Sequence, residues 1–106
     1  MPKMINEHDI ADMKPEGIDA TLNERGKRYG SFFEHAHIAQ TTKEFWQSLR
    51  GWDRLVADQA QALEVIADKI ARILNGDPDY VDNWHDIQGY AKLVEDRLEN
   101  KEGVSR

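Results

Sequence analysis

Residues 57–74 read ADQAQALEVIADKIARIL, and this stretch decides the fold. Leu63, Ile66, Ala67, Ile70, Ile73 and Leu74 recur at helical spacing and line one stripe, with charged and amide side chains between them. A helix with one apolar stripe must bury it against other elements, so this segment predicts the centre of a helical assembly. Asn75-Gly76 stops the helix, and Asp77-Pro78 restarts the chain, with Asp as N-cap and Pro at the first helical position. The helix predicted from there carries Tyr80, Trp84, Ile87, Ala91, Val94 and Leu98, each three or four residues from the last.

Working toward the N-terminus, Ser31 followed by Glu34 forms a capping box and opens another helix. It carries Phe32, Ala36, Ala39, Trp46 and Leu49 and is predicted to end at Arg50-Gly51, leaving Trp52 and Leu55 as a plug on the core. A shorter helix is expected over Ile18 to Tyr29, capped by Asp19 and ended by Gly30. Gly26 inside it costs about 1 kcal/mol relative to alanine. Residues 1–16 lack periodicity and read as a flexible, disordered arm, 17–100 as one domain, and 101–106 as a polar tail. No segment alternates with period two, and no long repeat is visible. The expected fold is all-α: a compact bundle of three long helices plus a shorter N-terminal one.

Composition bounds the function. A chain of 106 residues suits one domain, and 40% apolar with 32% charged residues is a globular balance. Cysteine is absent, which excludes disulfides, thiolate metal sites and cysteine nucleophiles. No apolar run approaches the roughly 20 residues that span a bilayer, and the N-terminal stretch has no signal-peptide core. A cytoplasmic protein with no membrane partner is expected. The net charge is −6, which argues against direct nucleic-acid binding. That charge is concentrated: residues 77–100 hold seven acids against Lys92 and Arg97, or −5. Residues 17–30 hold Arg25, Lys27 and Arg28 against Asp19 and Glu24, or +1.

Two pairs of carboxylates stand out. Glu64 and Asp68 are four residues apart on one helix, and Asp82 and Asp86 repeat the spacing on the next. Paired carboxylates on neighbouring helices suit Mg²⁺ or Mn²⁺, hard cations that take oxygen ligands and leave positions open for phosphate. The competing reading is a solvated acidic face. At 100° per residue, Asp82 and Asp86 point nearly opposite Trp84, Ala91 and Val94, beside Gly89 and Leu93. Such a second face suits a homodimer partner. Arg25, Lys27 and Arg28, set beside Gly26 and Gly30, suit phosphate oxygens or are ordinary surface charge. His85, next to Asp86, is the candidate general base. His35 and His37 are two apart, the wrong spacing for a helical metal pair. Phosphate-loop, serine-hydrolase and dinucleotide-binding motifs are absent.

Three motifs occur in order: R-G-x-x-Y-G at 25–30, K-I-A-R at 69–72 and D-x-W-x-D-I-x-G-Y-A at 82–91. Over about residues 20–98 the chain resembles a family of small proteins from tailed phages and prophages. More distantly it is similar to the all-α MazG-type nucleoside triphosphate pyrophosphohydrolases and to nucleotide-modification-associated phage domains. The shared elements are Tyr29-Gly30, Lys69 with Arg72, and Asp82, Asp86 and Tyr90. The resemblance implies a dimeric helical domain that binds, and in the MazG type hydrolyses, a nucleotide phosphate with Mg²⁺. It implies Glu64, Asp68, Asp82 and Asp86 as metal ligands and Arg25, Lys27, Arg28, Lys69 and Arg72 as phosphate contacts. The MazG ligand runs E-E-x-x-E and E-x-x-D are replaced here by Glu64-x-x-x-Asp68 and Asp82-x-x-x-Asp86. The alternative expectation is a non-enzymatic protein that binds a host protein through its acidic face.

Overall fold

The stripe at 57–74 folds as the central helix of the computed structural model, which describes residues 16–99. The order is α1 (Gly17–Tyr29), α2 (Phe32–Gln47), a 3₁₀ turn (Arg50–Arg54), α3 (Ala57–Asn75) and α4 (Val81–Leu98). Among the described residues every regular element is helical, so the all-α bundle of three long helices and a shorter one is observed. The expected arm at 1–16 lies outside the described residues except for Glu16, and the tail at 101–106 lies outside them entirely. Within them, no helix is long and apolar enough to cross a membrane.

Helix α3 packs against α2 and α4, while α1 rests on α2 and α3. The fully buried apolar residues are four alanines: Ala39 of α2, and Ala62, Ala67 and Ala71 of α3. Small side chains at a helix crossing let the backbones approach closely. Ile66, Ile70 and Ile73 flank that seam half-buried, whereas Leu63 and Leu74, expected in the same stripe, are exposed. Asn83 of α4 is fully buried as well.

Local chemistry sets the helix ends. The Ser31 hydroxyl accepts the Glu34 N–H at 3.2 Å, the predicted N-cap of α2. Helix α2 ends at Gln47, three residues short of Arg50, because the Ser48 N–H is shared between the Glu44 and Phe45 carbonyls and its hydroxyl donates to Phe45 O at 2.6 Å. The tightened turn leads into the 3₁₀ segment, which holds Trp52 and then Leu55 half-buried. At the start of α3 the Gln59 amide oxygen accepts the Val56 N–H at 3.0 Å.

Two predicted caps are corrected. Glu16, not Asp19, is the N-cap residue of α1, and it makes no side-chain capping bond. Asp19 lies in the first turn, where its charge complements the helix dipole. Helix α4 begins at Val81 rather than Pro78. Asp77 spends its side chain on a tighter local turn, accepting the Asp79 N–H at 2.9 Å, and Tyr80 becomes the N-cap residue.

The buried side of α4 is also rotated from the predicted one. Asn83, Ile87, Tyr90 and Val94 are buried or half-buried, while Trp84, Ala91 and Leu98 are exposed. Polar pairing explains the rotation: Lys69 of α3 draws Asp86 inward at 3.0 Å, and Arg97 forks onto Asp58, with its Nη2 at 2.9 Å from Oδ1. Asp86 therefore faces α3 and does not point away from the bundle.

Candidate functional site

The sequence motifs meet where the α1–α2 turn crosses the C-terminal end of α3. Gly30 adopts φ = 76°, and a Cβ there would lie 2.1 Å from the Asn75 carbonyl oxygen. On the facing strand of chain, a Cβ on Gly76 would lie 2.1 Å from the Arg28 carbonyl oxygen. Only glycine permits this approach from both sides. The Asn75 amide donates to Tyr29 O at 2.8 Å and Ser31 O at 2.9 Å, and the Asp77 N–H donates to Arg28 O at 2.7 Å.

This lock gathers two tyrosines and two arginines. The rings of Tyr29 and Tyr80 meet edge to face, with centroids 6.0 Å apart. Arg72 lies 4.7 Å over the Tyr29 ring, and Arg28 lies 4.5 Å over the Tyr80 ring. Arg28 also donates to the Tyr80 hydroxyl and, at 2.9 Å, to Glu24. The Tyr80 hydroxyl in turn donates to Asp82 at 2.8 Å. That bond holds the Tyr80 phenol above its ordinary pKa, burial adding to the effect and Arg28 opposing it.

The two arginines differ in one respect. Arg28 has Glu24, whereas Arg72 is half-buried and has no carboxylate partner among the described residues. Its positive charge is felt by His35, whose pKa is lowered by burial first and then by Arg72, Lys43 adding a little and Asp68 opposing. The His35 Nδ1 and the Asn83 amide nitrogen are buried without hydrogen-bond partners.

The predicted metal ligands are distributed differently. Glu64 accepts from the Gln47 amide at 3.1 Å, and Asp68 pairs with Lys43 at 2.9 Å. Asp82 is held by Tyr80, and Asp86 by Lys69. Among the described residues no three histidine, aspartate or glutamate side chains gather closely enough to hold a metal ion. Among the described residues these four carboxylates therefore lie apart, each with its own partner, and form no single ligand cluster. Of the expected phosphate contacts, Arg28 and Arg72 belong to the junction and Lys69 is committed to Asp86. Arg25 and Lys27 are exposed on α1 and His85 is exposed on α4, each without a partner among the described residues.

Sequence reading missed Tyr80, Asn75 and Gly76 as site residues. Asn75-Gly76 was legible only as a stop signal, and nothing local reveals that the stop touches Tyr29-Gly30, more than forty residues away. No protein-family model, no curated protein and no solved structure matches this chain.

Proposed function

We propose that this chain is a small accessory protein that binds the phosphate of a nucleotide at the junction of α1, α2 and α3. The observation that carries the reading is Arg72: a half-buried residue whose guanidinium lies over Tyr29, with no carboxylate to neutralise it among the described residues. A guanidinium fork matches phosphate oxygens, and aromatic stacking holds it ready at little further entropic cost. Arg28 and the exposed Arg25 and Lys27 extend the positive charge along α1. The resemblance of these motifs to small phage proteins and to MazG-type domains supports the same ligand class, and with it a place in the cytoplasm of a host cell.

Magnesium enters this reading with the nucleotide, since Mg²⁺ is commonly held by one or two carboxylates together with substrate phosphates. Asp82, held by Tyr80, and Asp86, held by Lys69, are the candidate carboxylates. The test is a calorimetric titration with a panel of nucleoside triphosphates, with and without Mg²⁺, alongside an assay of released pyrophosphate. Binding is expected, and Arg72→Gln should weaken it by about tenfold or more while circular dichroism is unchanged. No heat from any nucleotide with the wild-type chain would overturn the proposal.

The second reading, a protein that binds a host protein through its acidic face, is favoured by the separation of the four carboxylates. It predicts no nucleotide binding, and a host partner whose co-purification is lost on charge reversal of the α4 acids.

A further inference from the structure

Helix α2 carries an aromatic ring on its inward side that the bundle leaves uncovered. Phe32, Ala39 and Trp46 follow one another at intervals of seven residues and share one stripe of the helix. Ala39 is buried and Trp46 half-buried, yet Phe32 is 82% exposed. Phe32 is the first residue of α2, level with the end of α3, where the Asn75 amide donates to Ser31 O. One side of its ring is occupied. It stacks on His35 at an interplanar angle of 26°, with centroids 6.2 Å apart. His35 in turn lies within the field of Arg72, whose guanidinium is held over Tyr29. Tyr29, Arg72, His35 and Phe32 thus follow one another from the junction to the open ring.

We propose that Phe32 is the platform on which the base of the bound nucleotide stacks, with the phosphates on Arg72. The inference rests on the phosphate reading and adds the other end of the ligand to it. An exposed ring near a cation without a carboxylate partner matches the two ends of a nucleotide, flat at one and anionic at the other. Aromatic side chains take bases by their faces, and every base has one. The His35 contact already restrains the ring, so less freedom is lost when a base arrives. Phe33 is equally exposed, but it lies about 100° around α2 and has no ring partner among the described residues. A single ring is therefore the platform. Phe32 carries no polar side-chain atom, so it grips the face of a base and reads none of its edge. Ring area then ranks the ligands, and purine nucleotides bind ahead of pyrimidine ones.

The test is calorimetry on the full chain with ATP, UTP and inorganic tripolyphosphate, and circular dichroism to establish that each variant is folded. Wild type is expected to bind ATP about tenfold or more tighter than tripolyphosphate, with UTP between them. Phe32→Ala should bring ATP close to tripolyphosphate and leave tripolyphosphate itself unchanged, while Phe32→Trp keeps the advantage of ATP. Arg72→Gln should weaken all three ligands. The stack is overturned by ATP no tighter than tripolyphosphate, by UTP as tight as ATP, or by Phe32→Ala weakening ATP and tripolyphosphate equally. Tripolyphosphate that does not bind, or that binds Arg72→Gln as well as wild type, instead overturns the phosphate reading on which the stack rests.

Discussion

At the residue scale, the glycines separate structure from tolerance. Gly30 combines a positive φ with a carbonyl 2.1 Å from where its Cβ would stand. Gly30→Ala should lose roughly 1–3 kcal/mol of stability in urea unfolding, because strained backbone and overlap act together. Gly26 has nothing within 4 Å of its added Cβ and sits inside α1, so Gly26→Ala should stabilise that helix by about 1 kcal/mol. Both glycines were visible in the sequence, one as a helix stop and one as a helix liability. What the sequence withheld is that Gly30 must also admit Asn75, a demand set by tertiary contact. Asp86 makes the same point for the site. Its spacing from Asp82 suggested a metal pair, and the geometry gives it Lys69 instead. Asp86→Asn should free Lys69 and strengthen nucleotide binding if the site works through cations. Loss of a Mg²⁺-dependent component would favour carboxylate ligation, and calorimetry with and without Mg²⁺ distinguishes the two outcomes.

At the element scale, caps and charge pairs hold helices that bury little. Ser31→Ala removes the hydroxyl cap of α2 and should cost about 1 kcal/mol in urea unfolding, since the bonds that Asn75 makes to the Tyr29 and Ser31 carbonyls survive the change. Polar pairs also join α2 to α3, with Gln47 on Glu64, Lys43 on Asp68, and His35 within the field of Arg72. Burial and those cations lower the His35 pKa below its usual 6.5. The unfolded state then binds the proton more readily, so stability is full above about pH 6.5 and falls as the pH drops through that value toward the folded pKa. Urea midpoints measured from pH 7.5 to 5.5 should fall, and His35→Phe should remove that component of the slope. The Ser31 cap and the α3 stripe were legible because they are local patterns, although only the Ser31 half of the expected capping box forms, the Glu34 carboxylate making no return bond to the Ser31 N–H. The start of α4 was not, because Asp77 serves a turn as readily as a helix cap, and the inward face of α4 was set by Lys69 and Asp58 on another helix.

At the scale of the whole molecule, α3 is a spine with α2 and α4 on it and α1 hinged across its end. The fold class followed from periodicity alone. The site did not, because it is built from the C-terminal end of α1, the α1–α2 turn, the last turn of α3 and the residue that caps α4. The chain brings these together only on folding. Residue-resolved NMR tests the proposed phosphate binding at that junction most directly. Titrating a nucleoside triphosphate into ¹⁵N-labelled protein should shift the amides of Tyr29, Gly30, Arg72, Asn75 and Gly76, and Arg72→Gln should suppress those shifts. An unchanged spectrum, or shifts confined to the α2 end and the 3₁₀ turn, would contradict it.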